Sequence, residues 1–343
     1  MIRAAFKGNS TRTYALILLV SLQGYLFTSC KKAPEPEPVL KITTLASGLV
    51  APIGLEVDKK GWVWVSESGS AKNDGTVIAI TPDGKKYPVV VGLPSIIIEG
   101  GELEGPAHIL FADGILYILA VDKLYKADVA GFKAGDAPKQ ASTLAMEDIG
   151  AFVLKYPFQA NTHMSHPYDL TTGPGGEIYI TDAAANAILK RSKTGQYSVV
   201  AEVPKVAHQL PMGPNPAEPV PTGIYYDGQN FLITTLLGFP FPPGKAVIYK
   251  MTPTGAITVQ QSGFTSLVDI AEGTSRGRLV LQHGVFALPA GFGVNTGKLT
   301  WADGVNQTVL TDGLNQPAGL KQADEHTWYV TSVADGTIIK VQY

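Results

Sequence analysis

A short motif recurs six times along this chain, and five of its copies open with proline. Most copies read Pro-x-Gly/Asp-aliphatic, and each is followed by a Gly/Asp turn and a run rich in Tyr, Trp, Val and Ile. The copies begin at Pro52, Pro106, Pro167, Pro221, Leu267 and Pro317, so leucine replaces the proline once. A repeat of about 50 residues is typical of a unit that must stack on its neighbours to bury its apolar face.

Short apolar runs bounded by Gly, Pro, Asn and Asp follow each opening, which predicts a many-stranded β protein. Four strands per unit and six units predict an all-β, six-bladed β-propeller over residues 41–343. The last unit stops at Tyr343 after its third strand, while residues 41–46 read as a lone strand ahead of the first opening. We therefore expect the N-terminal strand to join the last blade and close the ring, which leaves no long open edge.

The N-terminal residues have the pattern of a lipoprotein signal peptide. Residues 1–29 contain three basic residues and no acid, followed by an apolar run from Ala15 to Phe27 that is too short to span a bilayer. This run ends just before Cys30, the chain's only cysteine. We expect cleavage before Cys30 and acylation of its thiol with chains such as palmitate, which would hold the protein at a membrane.

The residues after the cysteine and the overall charge limit the partners. Residues 30–40 contain the stretch KKAPEPEP at residues 31–38, whose alternating proline and glutamate predict an extended, solvated tether. Lys31 favours the outer membrane, on its periplasmic side or at the cell surface. With 27 basic and 29 acidic residues, and no basic cluster beyond Lys31-Lys32, nucleic acid is not expected as a partner. The membrane is one expected partner, and the other is a small molecule, a glycan or a protein.

The longest departure from the repeat spans residues 133–165. Within it, the segment 145–156 places Ile149, Phe152 and Val153 at helix-like spacing. Two interpretations remain open, a short helix on one face of the ring and an ordered loop without regular structure.

Five segments in the middle of the chain carry a family resemblance. They are residues 166–170 (HPYDL), 181–188 (TDAAANAI), 220–224 (VPTGI), 238–244 (GFPFPPG) and 262–270 (SGFTSLVDI). This succession resembles the ScyD/ScyE family of bacterial propeller proteins. The resemblance implies an exported propeller and brings no agreed catalytic residues.

Two further resemblances are less specific. The openings are similar to those of NHL-type and gluconolactonase-like six-bladed propellers, which implies metal-dependent lactone hydrolysis as an alternative activity. The glutamate, asparagine and aspartate set of those enzymes is not cleanly reproduced here. The Ser-Cys-Lys-Lys sequence at residues 29–32 is similar to the start of Bacteroidetes lipoproteins.

The propeller prediction also places a candidate site. The first strand of each blade lines the central channel, and the loops that enter it share a face with the loops that join strands two and three. We therefore predict ligand binding at that mouth of the channel. Its candidate residues are Glu67, His166, Tyr168, Asp169, Asp182, Thr222, Thr235, Phe239, Phe241, Asp269 and His283, with Thr331 beside them.

The acidic residues of this set offer oxygen ligands for a divalent cation, with His166 or His283 as a proton acceptor. Asp169 and Asp269 take the place that glycine holds in other openings, so they are the stronger functional candidates. Asp182 also fits a structural role, because Asp after a strand commonly accepts N–H groups of the next turn.

The segment 238–244 is rigid because three prolines fix φ, and it presents the aromatic rings of Phe239 and Phe241. It is either a platform for an apolar ligand or partner, or a lid packed onto the ends of neighbouring blades. Solvent exposure of the two rings distinguishes these interpretations.

Two functions remain open at this stage. The first is a non-enzymatic lipoprotein without a cofactor that binds a ligand or partner at the channel mouth. The second is a metal-dependent hydrolase of the lactonase kind with a divalent cation in the channel. No His-x-x-x-His, Gly-x-Ser-x-Gly or phosphate-binding glycine motif is present, so zinc-protease, serine-hydrolase and nucleotide chemistry have no support.

Overall fold

The structure is a computed structural model that describes residues 39–98, 100–160, 162–274 and 276–343. The predicted signal peptide, Cys30 and the tether up to residue 38 lie outside these residues. None of the described helices has the length and apolar character needed to cross a membrane.

The strands form six blade sheets, of which five have four antiparallel strands and one has a fifth strand added in parallel. Ahead of the first complete blade lies β1 (Lys41–Ser47). Blade 1 contains β2 (Pro52–Val57), β3 (Val63–Glu67), β4 (Gly75–Ile80) and β5 (Lys86–Leu93). A hairpin of β6 (Ile96–Ile97) and β7 (Leu103–Glu104) leads to blade 2.

Blade 2 is the least regular blade. It contains β8 (Pro106–Ala112), β9 (Ile115–Ala120), β10 (Lys123–Asp128) and β12 (Ala145–Asp148). Between β10 and β12 lies β11 (Lys139–Gln140), which joins the sheet of blade 1 by pairing in parallel with β5. The helix α1 (Ile149–Val153) follows.

Blades 3 and 4 are regular. Blade 3 contains β13 (Pro167–Thr172), β14 (Ile178–Asp182), β15 (Ala187–Arg191) and β16 (Tyr197–Glu202). Blade 4 contains β17 (Pro221–Tyr226), β18 (Phe231–Thr235), β19 (Ala246–Met251) and β20 (Ile257–Phe264).

Blade 5 carries an inserted hairpin, and blade 6 is completed by the N-terminus. Blade 5 contains β21 (Leu267–Thr274) and β22 (Gly277–Gln282), the inserted strands β23 (Phe286–Ala287) and β24 (Gly291–Phe292), then β25 (Gly297–Ala302) and β26 (Gln307–Leu314). Blade 6 contains β27 (Pro317–Asp324), β28 (Thr327–Ser332) and β29 (Thr337–Gln342).

The first strand closes the ring as the sequence predicts. β1 pairs antiparallel with β29, from Lys41 opposite Gln342 to Ser47 opposite Thr337. Ala46 of β1 is buried in one cluster with Ile338 of the last strand. The predicted six-bladed propeller, and its closure by the N-terminal strand, are confirmed.

Of the two interpretations of segment 145–156, the short helix is the one that forms. Asp148 caps α1 by accepting a hydrogen bond from the Ala151 N–H at 2.8 Å. The residues before the cap form β12, which pairs with β10. The helical spacing therefore begins only at Ile149, and the four residues ahead of it complete blade 2.

Aromatic side chains fill the space between neighbouring blades. Trp64 of blade 1 packs edge-on against Phe111 of blade 2, with ring centroids 4.9 Å apart. Trp301 of blade 5 meets Trp328 of blade 6 in the same way at 5.6 Å. Each fully buried side chain of this size contributes about 3 kcal/mol, so the ring is held by blade-to-blade packing.

A hydroxyl near the end of the second strand joins several blades to the next one. The residues that do so are Ser66, Thr181 and Thr331. Thr331 accepts a hydrogen bond from the Gly319 N–H of its own blade at 2.7 Å and donates to the Ile53 carbonyl of blade 1 at 2.8 Å. We call this arrangement the hydroxyl clasp; it satisfies buried backbone groups at the blade boundary.

Candidate functional site

The first strands of the blades line a channel that is divided into two cavities. The mouth cavity, about 620 Å³, opens on the face where these strands begin. The lower cavity, about 160 Å³, lies farther along the same strands. On β2, for example, Ile53 lines the mouth cavity, whereas Leu55 and Glu56 line the lower cavity. Gly54 and the residues at the equivalent position of the other openings therefore separate the mouth cavity from the lower cavity.

The mouth cavity has mainly apolar walls and a few polar groups. Its apolar residues include Ile98, Leu103, Met164, Leu236, Val268 and Phe292. Its polar residues include four of the predicted site residues, His166, Tyr168, Thr222 and His283, together with Glu104. An apolar space of this size with a few convergent polar groups is the usual form of a small-molecule site.

His166 is paired with a carboxylate from the hairpin between blades 1 and 2. Its Nδ1 lies 2.7 Å from Oε1 of Glu104. Burial disfavours the charged imidazole, but Glu104, with smaller contributions from Asp182 and Glu102, outweighs burial and raises the pKa of His166. The ring therefore favours the protonated form more than a free histidine does.

His283 lies in a different environment within the same cavity. Its Nδ1 is 3.0 Å from the carbonyl oxygen of Pro317, and the ring of Phe292 stands perpendicular to it with centroids 4.8 Å apart. Burial lowers the pKa of His283, and the hydrogen bond to Pro317 offsets this only in part. Because a carbonyl oxygen can only accept, Nδ1 of the neutral ring carries the proton.

A backbone hydrogen bond that recurs around the mouth positions both histidines. In each blade, the N–H after the second strand donates to the carbonyl of the residue that precedes the first strand. His166 supplies that carbonyl in blade 3, accepting from Ala183 N–H at 2.9 Å. His283 supplies that N–H in blade 5, donating to Ser266 at 2.9 Å. His166 and His283 therefore stand at the acceptor end and the donor end of the same recurring hydrogen bond, in blades 3 and 5 respectively.

Below the mouth, three buried side chains cluster at the position where other blades have glycine. One ligand atom from each of His108, Asp169 and Asp269 lies within 4.8 Å of the others. Nδ1 of His108 is 3.1 Å from Oδ1 of Asp169. Its Nε2 is buried and has no hydrogen-bond partner among the described residues.

The two carboxylates of this cluster also hold the backbone of neighbouring blades. Asp169 accepts from Leu170 N–H at 2.7 Å and from Ile224 N–H at 2.8 Å. Asp269 accepts from Ile270 N–H at 2.7 Å and from Leu320 N–H at 2.6 Å. Each carboxylate thus joins its own first strand to that of the next blade.

Burial dominates the electrostatics of this cluster. It raises the pKa of Asp269 to about 7, with His108 offsetting part of the effect. It also opposes the charged form of His108, but Asp169 and Asp269 outweigh it and raise the pKa of that imidazole. Tyr168 lies above the cluster with its ring centroid 4.9 Å from that of His108, and burial raises the pKa of its hydroxyl, which stays protonated.

The lower cavity contains an ion pair across the ring closure. Nζ of Lys321 on blade 6 is 2.9 Å from the carboxylate of Glu56 on blade 1. Burial disfavours the ammonium group, but Glu56, Asp169 and Asp269 outweigh it and raise the pKa of Lys321. Opposite charges of blades 1 and 6 therefore meet inside the channel, where the ring closes.

Four other predicted site residues bond within the protein and line neither cavity. Glu67 accepts from Val50 N–H and Thr76 Oγ1, and Thr235 bonds the backbone of Val247. Thr331 forms the hydroxyl clasp. Asp182 accepts from the N–H groups of His166 and Ala185 and from Ser165 Oγ, which are the contacts of a side chain that stabilises a turn.

The aromatic segment 238–244 lies beside the mouth. Phe239 is 41% exposed, whereas Phe241 is half-buried. The ring of Phe241 packs against Phe286 and Phe292 of the blade 5 hairpin, with centroids 4.7 and 5.1 Å away. Phe292 lines the mouth cavity, so the segment supports one wall of the cavity and leaves one ring open to solvent.

Sequence reasoning did not identify His108, Glu104, Glu56 or Lys321. The first had a signal, because His108 stands at the opening position that Asp169 and Asp269 share. Glu56 and Lys321 also follow an opening, at a position that faces the channel. Glu104 lies in an insertion, and no repeat pattern places it.

Neither a family model nor a curated protein matches the sequence. Solved structures do match. A gluconolactonase from Xanthomonas campestris aligns with TM-score 0.56 and 11% identity, over 88% of this chain and 89% of its own. An aldose sugar dehydrogenase from Streptomyces coelicolor, solved with PQQ bound, gives 0.55 and 12%, over 90% and 99%.

A structural genomics protein of unknown function from Bacteroides thetaiotaomicron aligns with TM-score 0.55 and 13% identity, over 89% of this chain and 76% of that one. The chain has the fold of gluconolactonase-like six-bladed propellers. At these identities the likeness shows the fold alone, and function must be argued from the site.

The His108, Asp169 and Asp269 cluster fits a metal ion in part. One imidazole and two carboxylates suit zinc or another transition metal better than calcium, which takes six to eight oxygen ligands. Among the described residues no hydrogen-bond partner reaches the buried Nε2 of His108, which is therefore an atom that a bound ion could use. These three residues would hold the ion, and a bound cation there would polarise a carbonyl group in the lower cavity.

Proposed function

We propose that this propeller binds a small amphipathic molecule in the mouth cavity. The observation that carries the proposal is an apolar space of about 620 Å³ that all six blades line and that the side chains of His166, Glu104 and His283 enter. A rigid ring positions these groups, so binding requires little ordering of the protein. No step of this function needs a cofactor.

The fluorescent anion anilinonaphthalene sulfonate, which combines apolar rings with a charged group, tests this proposal. All strands of the ring lie within residues 39–343, so the protein used is that part of the chain. We expect saturable fluorescence enhancement at a single site. Ala184→Trp, at the cavity wall, should abolish it, whereas Ala130→Trp on the exposed surface should not. Equal binding by both variants would place the probe elsewhere and contradict the proposal.

A second candidate function is hydrolysis of a lactone with the help of a divalent cation. The observation that favours it is the His108, Asp169 and Asp269 cluster next to the lower cavity. Metal analysis of purified protein should then find one ion per chain, and a chelator should lower the melting temperature. Asp169→Ala and Asp269→Ala should each lose the ion, and Asp113→Ala, an exposed control, should keep it. An ion retained by both cluster variants would reject the assignment.

We also propose that the ring is anchored to the outer membrane through a lipid on Cys30, and that the chain is a member of the ScyD/ScyE propellers. The sequence motifs alone support these two statements. The anchor has a direct test. The wild-type protein should be labelled metabolically by a palmitate analogue, and the Cys30→Ala variant should not. Labelling that persists in the variant would refute lipidation at this residue.

A further inference from the structure

Two histidines face the mouth cavity, and each has one ring nitrogen already bonded. Nδ1 of His166 is held by Glu104 at 2.7 Å, and Nδ1 of His283 by the Pro317 carbonyl at 3.0 Å. Among the described residues neither ring makes a second hydrogen bond through Nε2. Since both side chains line the same space, Nε2 is the atom that each ring can offer to a bound molecule.

The partners of Nδ1 assign opposite roles to the two Nε2 atoms. The carbonyl of Pro317 fixes the proton of His283 on Nδ1, so its Nε2 holds a lone pair and accepts a hydrogen bond. The carboxylate of Glu104 stabilises the imidazolium form of His166, in which Nε2 carries a proton and donates. One ring is thus a donor and the other an acceptor within a single apolar space.

The groups around each ring agree with this division. Glu104, Glu102 and Asp182 all act on His166 with negative charge, and the neutral Tyr168 stacks beside it at 6.3 Å between centroids. Within the described part of the chain, no carboxylate acts on His283, which lies against the Phe292 ring. Groups whose surroundings move their pKa values in opposite directions form natural acid and base partners.

We propose that His166 and His283 form an acid and base pair that orients the molecule bound in the mouth cavity. Nε2–H of His166 donates to an acceptor on the ligand, and Nε2 of His283 accepts from a donor on it. The class of ligand that fits is an apolar molecule with a carbonyl, carboxylate or sulfonate group and, at a separate position, a hydroxyl or N–H group. This inference rests on the proposed binding function and specifies its chemistry.

Nitrogen NMR of histidine-labelled protein tests the proton positions without any ligand. We expect the His283 signals to show the neutral Nδ1–H form and a pKa below the ordinary value of 6.5, and those of His166 to show a pKa above that value. His166→Gln and His283→Gln assign the signals. A His166 pKa at or below 6.5, or a His283 pKa at or above it, would overturn the pair.

Binding of anilinonaphthalene sulfonate, which has both a sulfonate acceptor and an N–H donor, tests the roles. His166→Gln should raise the dissociation constant about tenfold, as loss of one charge-assisted hydrogen bond does. Affinity of the unsubstituted protein should fall as pH rises through the His166 pKa, and the variant should lose that dependence. His326→Gln, at an exposed histidine, is the matched control and should change nothing.

The two proposals fail in different ways. If Ala184→Trp blocks the probe but neither cavity histidine affects its affinity or pH dependence, the cavity binds ligands and the pair is wrong. If the probe does not bind at all, the proposed function loses its support, and the NMR result still decides whether the two rings hold their protons as stated.

Discussion

Oδ2 of Asp169 accepts a hydrogen bond from the backbone N–H of Ile224 at 2.8 Å, so a carboxylate of blade 3 holds the first strand of blade 4. Asp269 does the same for Leu320 between blades 5 and 6. Both carboxylates are buried and stand where other blades have glycine. They therefore have a structural role whether or not a cation binds beside His108.

The raised pKa of Asp269 predicts a pH dependence of stability. Its ordinary value is 3.8 and its value in the fold is about 7, so the folded protein binds the extra proton between these limits. The stability it contributes is complete below about pH 4 and falls as pH rises to about 7, by at most about 1.4 kcal/mol per pH unit. Asp269→Asn, permanently neutral, should flatten this slope in urea unfolding, while Asp113→Asn should keep it. An unchanged slope in Asp269→Asn would show that the carboxyl titrates normally.

The lowered pKa of Glu147 predicts the opposite pH dependence of stability, and in a more acidic range. Burial opposes its ionisation, but hydrogen bonds from Arg191, Lys126 and Tyr197 prevail and lower the pKa of Glu147 from 4.5 to about 2. Its stabilising effect is present above pH 4.5 and is lost as pH falls towards 2. Glu147→Gln should cost about 3 kcal/mol at pH 7, because it leaves a buried Arg191 without its counter-ion.

That cost should shrink on acidification, since the unsubstituted protein then loses the same charge. The matched control is Glu177→Gln, which removes a half-exposed pair with Lys190 at 3.1 Å and should cost less than about 1 kcal/mol. Similar losses in the two variants at pH 7 would mean that Glu147 contributes no more than a surface pair.

The hydroxyl clasp predicts a cost for a substitution that preserves shape. Thr331→Val removes the oxygen that bonds Gly319 N–H and the Ile53 carbonyl, and both buried groups lose their partner. We expect a loss of about 2 kcal/mol in the free energy of unfolding, measured by urea denaturation. Thr308→Val, exposed on β26, should be neutral or nearly so. Equal stability of the two variants would contradict the clasp.

Close contact between first strands explains one of the repeated glycines. A Cβ at Gly54 would lie 2.5 Å from Cα of His108 and 2.8 Å from the Ala107 carbonyl oxygen, both backbone atoms. Gly54→Ala should therefore force blades 1 and 2 apart and cost about 3 kcal/mol. Gly131→Ala, where nothing lies within 4 Å, is the control. A fully stable Gly54→Ala protein would show that the strands are farther apart than described.

The repeat in the sequence was sufficient for the fold because each opening marks one first strand, even where Leu267 replaces the proline. It was insufficient where insertions intervene. Along the sequence, residues 129–144 separate β12 from its partner strand β10, and the hairpin of β23 and β24 separates β22 from β25. Periodicity carries no information about how many residues a loop inserts.

The site was predictable in position but not in pairing. The position of His166, Tyr168 and His283 follows from the repeat, because the start of every first strand and the end of every second strand lie at the same mouth of the channel. The partners do not, since Glu104 reaches His166 from an insertion, and Asp169 meets His108 across a blade boundary. Such contacts depend on the closed geometry of the ring.

Lys41 and Gln342 face each other within one sheet, so the two ends of the described ring meet side by side. A circular permutant that joins Tyr343 to Lys41 and opens within the exposed residues 209–216 would encode every blade as one continuous stretch. No sheet would then be shared between the termini, and the toroid would have to hold its shape through lateral packing alone. The natural order of the chain thus adds a latch to an architecture whose blades have no inherent first or last member.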